Sequence, residues 1–259
     1  MPRVVPSLGG GEIHVWLASL DSTPADYESM HDILSAEERE RAARFKIAGG
    51  RERYTMGRGF LRMFLAYYTQ MDPARLGFAY NPFGKPRLLE EGIDSGSNQR
   101  VHFNLSHSGG LAVYGFTRDG DLGVDIEKYR DEVLREKLAD RFFSPEEAEE
   151  LASLDSSHQL QGFFTCWTRK ESYIKARGDG LSRSLSSFAV SLRPQDPPML
   201  RWCHDDPQVQ VRWRVWNLEV PQGYAGCAVA PAGARRCLQW DLNAPDKPPL
   251  VTEAGSPTD

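Results

Sequence analysis

The spacing of apolar residues along the chain switches repeatedly between a period of two and a helical period. From Glu12 to Leu20, Ile13, Val15 and Leu17 alternate with His14 and Trp16, which predicts a strand. Ser35 and Glu38 then form a capping box at the head of a charged helix, Glu37 to Phe45, that carries Arg39, Arg41 and Arg44. After the Gly49-Gly50 break, Tyr54, Gly57, Phe60, Leu61, Phe64, Leu65 and Tyr68 recur at helical spacing, with Arg53, Arg58 and Arg62 interleaved. Leu76 to Leu89 predicts a strand and a turn. The breakers between Asn81 and Pro86 put Lys85 on an exposed loop, and Glu90 to Arg100 is polar and rich in glycine and serine, as a flexible excursion is.

Order resumes at Val101 with a short strand that leads into the small-residue loop ending at Gly109-Gly110, and Leu111 to Phe116 is a second strand. The Asp119-Gly120 signal in the turn Arg118 to Asp121 predicts a hairpin that sets Glu127 opposite roughly Ala112. Helical patterns follow at Leu134 to Arg141 and after Ser144, where Ser144, Pro145 and Glu147 make a capping box, and again from Gln159 to Arg177. Ser187 to Leu192, Val209 to Glu219 and Tyr224 to Ala230 read as strands of a second sheet, and the proline-rich tail predicts mobility.

Two of these elements carry charge where packing argues against it. In the run Gly123 to Glu127, strand alternation puts Asp125 and Glu127 on one face and Val124 and Ile126 on the other. The two carboxylates then lie about 7 Å apart and repel unless a cation sits between them, and a hard, oxygen-seeking ion such as Mg²⁺ suits that place. A solvated edge strand is the plain alternative. On the long helix, Glu171 falls on the stripe through Leu160, Phe163, Phe164, Trp167 and Ile174, where a carboxylate is costly unless paired or bound to metal. A surface ion pair with Lys175, one turn along, is the plain alternative there. Ser106, His107 and the two glycines offer donors suited to phosphate oxygens, and the predicted hairpin would set them beside the acids of the Gly123 strand.

Composition narrows the partners. At 259 residues the chain suffices for one large domain or two halves, and a net charge of −5 gives no general attraction to nucleic acid or to an anionic membrane. No apolar run reads as a signal peptide or a membrane span, so the cytoplasm is the expected location. Cys166, Cys203, Cys227 and Cys237 are far apart, with no metal or redox spacing.

Taken together and in order, Phe103 to Ser108, Gly123 to Glu127, Arg141 to Ser144 and Trp167 to Lys175 resemble the motifs of the Sfp-type 4′-phosphopantetheinyl transferases. Ser35 to Phe45, Gly57 to Arg62, Gly84-Lys85-Pro86, Gly178 to Ser182 and Gly223-Tyr224 extend the resemblance over roughly residues 12 to 240. It implies a holo-[acyl-carrier-protein] synthase type enzyme that moves the 4′-phosphopantetheine arm of coenzyme A to a serine of an apo acyl, peptidyl or aryl carrier domain, releasing adenosine 3′,5′-bisphosphate. The resemblance also implies Mg²⁺, held by Asp125, Glu127 and Glu171 against the pyrophosphate of coenzyme A. Lys170 and Lys175 would lie in the active-site motif, and Arg41, Lys85, Ser106 and His107 near coenzyme A. Glu171 or a metal-bound water would deprotonate the carrier serine, with Lys175 stabilising charge on the pyrophosphate. Glu38 departs from the pattern, since some members are basic there.

The implied fold is α/β: two similar halves related by a pseudo-twofold axis, residues 1–118 and 119–242, with coenzyme A between them and a flexible tail over 243–259. Family habit implies a monomer. A metal-dependent nuclease would show closer Glu-x-Lys spacing and a basic surface, and a non-catalytic binding module for coenzyme A or a carrier protein would be expected to have lost the carboxylates that this chain retains.

Overall fold

A computed structural model describes residues 6–89, 100–178, 180, 183–193 and 195–254. The polar excursion expected at Glu90 to Arg100 therefore lies outside the described residues except for Arg100, as do the last five residues of the tail.

The first half comprises β1 (Glu12–Ser19), α1 (Pro24–Asp32), α2 (Ala36–Ala43), the 20-residue helix α3 (Gly50–Thr69), the short hairpin β2 (Phe78–Tyr80) and β3 (Pro86–Leu88), and then β4 (His102–Ser108) and β5 (Leu111–Thr117). The second begins with β6 (Gly123–Lys128) and continues through α4 (Glu132–Arg135), α5 (Leu138–Phe142), α6 (Pro145–Ala152), the 22-residue α7 (Ser156–Arg177), β7 (Phe188–Val190), β8 (Leu200–Cys203), α8 (Val209–Arg212), β9 (Trp213–Asn217) and β10 (Tyr224–Pro231). The chain then returns to the first sheet through β11 (Arg236–Asp241) and β12 (Leu250–Glu253). No described helix is long and apolar enough to cross a membrane.

Four layers result, each dictated by strand alternation. In β1, Trp16 and Ala18 face α3 and pack with Met56, Phe64, Phe116 and Trp240, while Ile13, Val15 and Leu17 face the opposite way. That opposite face meets the three-stranded sheet β6-β10-β9 through Val124, Ile126, Ala228 and Trp216. The reverse face of the small sheet, with Ala225, Cys227 and Val229, packs on α7. The order is helix, sheet, sheet, helix, a mixed α/β architecture with a long helix outside each sheet.

The expected pairing of the Leu111 and Gly123 strands does not form. Both edges of β5 are already occupied, by β1 and by β4, so Ala112 lies opposite Ala18 and His107. The chain crosses instead to the second sheet, where Glu127 is opposite Ala225 of β10. Two further expectations change. Val209 to Arg212 is helical, and only Trp213 onward is strand. The tail, expected to be flexible from 243, supplies β12, which pairs antiparallel with β11 and is the exposed outer strand of the five-stranded sheet β12-β11-β1-β5-β4.

Both predicted capping boxes form. Ser35 accepts from Glu38 N and Ser144 from Glu147 N, and each glutamate accepts from its cap backbone in return. Gly123 serves a different need, close approach of α7 to the sheet: a Cβ there would lie 2.0 Å from Ser172 O and 2.5 Å from Ala176 N. Only glycine lets the backbone of α7 lie directly on β6 at that point.

Candidate functional site

The contact at Gly123 brings the last turns of α7 against the charged face of β6, the face that alternation assigns to Asp125 and Glu127. Lys175 therefore reaches Asp125. Its Nζ donates to Asp125 Oδ1 at 2.6 Å and to Ser106 Oγ at 2.9 Å, and lies 3.4 Å from Val124 O. Ser106 in turn donates to the same Asp125 oxygen at 2.7 Å. The helix ion pair between Glu171 and Lys175 is thus not what the fold selects, because Lys175 is taken by the more deeply buried acid.

Asp125 has one oxygen to spare. Oδ2 is buried and has no hydrogen-bond partner among the described residues, which is costly for a carboxylate unless something cationic completes it. Glu127 receives one bond, from Ser108 Oγ at 2.7 Å. Its carboxyl is pushed above the usual range by burial and by the neighbouring charge of Asp125, against the pull of Ser108, Arg130 and Lys175. Glu171 is half-buried and is likewise raised, by burial first and then by Asp125 and Glu127, with Lys175 opposing. Both glutamates thus feel the charge of Asp125.

Among the described residues, no three His, Cys, Asp or Glu side chains converge tightly enough to form a ready-made metal cage. The donor set nonetheless suits Mg²⁺, which keeps several waters and binds through one or two carboxylates together with substrate phosphates. The bare oxygen of Asp125 and the two acids of raised proton affinity offer hard oxygen ligands, while the ammonium of Lys175 occupies the other oxygen of Asp125.

Beside this cluster is a cleft of about 400 Å³ lined by Phe83, Lys85, Leu105, Glu171, Ile174 and Lys175, so both halves of the chain contribute to it. Lys85 is not the exposed loop lysine that the breaker-rich turn predicted. Its Nζ donates to Asp121 Oδ1 and to Ala176 O, both at 3.1 Å, at the C-terminal end of α7. Asn81 Nδ2 donates to Gly178 O at 3.0 Å and ties the same hairpin down. Burial lowers the affinity of Lys85 for its proton, with Asp121 opposing. Asp121 is drawn down to about 2, by the neighbouring His102 first and then by Lys85.

The other candidates are dispersed. Ser106 and His107 are strand residues of β4 rather than loop residues, and only Ser106 points at Asp125. His107 is exposed, and its ring is held below its ordinary pKa by desolvation and by the charge of Lys175. Arg41 is exposed beside Tyr54, 5.6 Å from the ring centroid, and lines a separate depression with Glu37, Arg44 and Phe45. Lys170 does not belong to the site. It is fully buried, pairs with Glu147 at 2.7 Å and donates to Leu185 O and Phe188 O at 2.7 and 2.5 Å, so no ligand in the cleft can reach it. Glu147 is likewise structural, since it also accepts from Val190 N at 2.8 Å. Glu38 explains its own departure from the family pattern, for Arg58 and Arg62 neutralise it at 2.5 and 2.6 Å.

Three contributors escaped the sequence reading: Ser108, which holds Glu127; Asn104, whose Oδ1 accepts from Val124 N at 2.9 Å; and Asp121. For the first two a signal exists, because Asn104 and Ser108 share the period-two face of Ser106.

Known proteins match this chain over most of its length. A family model described as "4′-phosphopantetheinyl transferase superfamily" matches residues 121–229, and one described as "4′-phosphopantetheinyl transferase, N-terminal" matches residues 18–116. The chain is 37% identical over 222 residues to the 4′-phosphopantetheinyl transferase HetI of Nostoc sp., covering 86% of this chain and 88% of that protein. It is 31% identical over 202 residues to the 4′-phosphopantetheinyl transferase Sfp of Bacillus subtilis, covering 78% of each.

Proposed function

Because the chain belongs to the 4′-phosphopantetheinyl transferase family, and so transfers the 4′-phosphopantetheine group of coenzyme A to a carrier protein, we propose that the cluster around Asp125 is where it does so. The observation that carries the proposal is the pairing of Lys175 with Asp125 and Ser106 while the second oxygen of Asp125 is buried without a partner. A structural ion pair has no use for that spare oxygen. A site that receives a cation together with a phosphate does.

In this proposal Asp125, Glu127 and Glu171 hold Mg²⁺, and the ion supplies neutralisation of the pyrophosphate charge when it is bound. Lys175 carries a second positive charge to the phosphate oxygens. Lys85 lines the same cleft and Ser106 is bonded to Lys175 at its edge, while His107 and, from the separate depression, Arg41 offer donors to the phosphates of coenzyme A. The carrier serine oxygen forms a bond to the phosphorus that bears pantetheine, and the bond from that phosphorus to the departing adenosine 3′,5′-bisphosphate breaks. The serine proton must go to a base, and Glu171, which lines the cleft, is placed to take it.

The enzyme acts in this proposal as a cytoplasmic monomer with no nucleic-acid or membrane partner, in keeping with its net charge of −5. The test is intact-mass analysis of several apo carrier domains after incubation with the protein, coenzyme A and Mg²⁺. Addition of one phosphopantetheine that stops when Mg²⁺ is chelated is the expected result. Transfer that is indifferent to chelation would remove the metal from the account.

A further inference from the structure

Asn104, Ser106 and Ser108 stand two residues apart on β4, so their side chains project from one face of that strand. All three reach across to β6, a strand of the other sheet. Asn104 Oδ1 accepts from Val124 N at 2.9 Å, Ser106 donates to Asp125, and Ser108 Oγ both donates to Glu127 Oε2 at 2.7 Å and accepts from Lys128 N at 3.1 Å. The partners lie 19 or 20 positions further along the chain in every case, so β4 and β6 run past one another in the same direction.

β6 is the outer strand of its sheet, hydrogen-bonded on one edge to β10. An outer strand leaves backbone N–H groups without ladder partners on its other edge. Here Asn104 and Ser108 take two of them, at Val124 and Lys128, in place of a neighbouring strand. The site is thereby fastened at the seam between the halves of the molecule by side chains that lie beside its acids.

Glu127 depends on this fastening most. The bond from Ser108 is its one hydrogen bond among the described residues, and its carboxylate is half-buried with Asp125 close enough to repel it. A glutamate has three rotatable side-chain bonds, so without that hydroxyl the repulsion has a free path to turn the carboxylate away. We propose that Ser108 is a positioning residue, one that holds Glu127 in its ligand orientation while Asn104 keeps the strand beneath it in place. The proposal rests on the assignment of Glu127 to the Mg²⁺ set.

The test titrates Mg²⁺ into wild type, Ser108→Ala, Ser108→Thr and Glu127→Gln, once as a dependence of transfer rate and once calorimetrically with coenzyme A present. Ser108→Ala is expected to weaken Mg²⁺ about 10-fold in both measurements, the usual cost of losing a hydrogen bond that orients a metal ligand, with a melting temperature close to wild type. Ser108→Thr keeps the hydroxyl and restores the affinity. Wild-type Mg²⁺ affinity in Ser108→Ala alongside weakened affinity in Glu127→Gln would overturn the positioning role and leave the site standing. So would a loss that tracks the melting temperature and is not rescued by threonine. Wild-type Mg²⁺ affinity in Glu127→Gln itself would overturn the underlying assignment.

Discussion

Lys175 Nζ lies 2.6 Å from Asp125 Oδ1, and this pair joins the long helix of the second half to the strand that carries the acids. Asp125 is almost wholly buried, whereas Lys175 retains some exposure toward the cleft. The lysine is therefore the more accessible partner and the aspartate the more enclosed one. With its ammonium on that oxygen, Lys175 opposes the approach of another cation.

Removing that charge separates two effects. Lys175→Met should lower transfer by about 10²–10³-fold if, as proposed, Lys175 carries positive charge to the phosphate oxygens. The same variant should bind Mg²⁺ in the absence of coenzyme A more tightly than wild type does, because the competing ammonium is gone. Calorimetry with Mg²⁺ alone checks this, and unchanged or weaker binding would count against Lys175 as the resident counter-ion.

The raised carboxyl of Glu171 has a consequence for stability. An acid whose folded pKa lies above its unfolded value binds more protons in the native state, so it lowers stability as pH rises through the interval above its ordinary value of 4.5, and the loss persists at higher pH. Glu171→Gln should therefore melt higher than wild type at neutral pH without metal, and the difference should vanish as the pH falls below that interval. Melting curves at several pH values, in chelator, measure the difference. Transfer should be lost in the same variant. A variant that melts lower than wild type at neutral pH would show that Glu171 is stabilising.

Lys170 should behave in the opposite way. It is buried against Glu147, so Lys170→Met leaves a carboxylate without its partner in the core and should cost about 3–5 kcal/mol of stability. Denaturant unfolding gives the number. The KM for coenzyme A in the protein that remains folded should match wild type, and a selective rise in KM at wild-type stability would return Lys170 to the site.

At Gly123 the prediction concerns distance. Ala at this position places a methyl 2.0 Å from Ser172 O, so α7 must move off β6. A loss of at least about 1–3 kcal/mol is expected, together with a fall in transfer as Lys175 is carried away from Asp125. Wild-type activity in Gly123→Ala would mean that the close approach is not needed.

How far the sequence reveals this arrangement depends on the range of the forces involved. Alternation separates Asp125 and Glu127 from Val124 and Ile126, and capping at Ser35 and Ser144 is decided within four residues, so both were legible. The partner of β6 was not, because a hairpin signal at Asp119-Gly120 is local whereas the occupation of both edges of β5 depends on β1, some hundred residues earlier. The two lysines of α7 look alike in sequence. Which one enters the core is decided by Glu147 on α6, and which one meets the site by the thinness of Gly123. Glu38, an acid where some members of the family are basic, was legible as a departure but not as the anchor for Arg58 and Arg62.

In the proposed transfer site Asp125 is the anchor, with one oxygen held by Lys175 and the other buried without a partner among the described residues. Intact-mass analysis of an apo carrier domain incubated with coenzyme A, Mg²⁺ and either wild type or Asp125→Asn tests it most directly. The account predicts full phosphopantetheine addition by wild type and none by Asp125→Asn in protein that melts cooperatively. Addition by Asp125→Asn at the wild-type rate would contradict it.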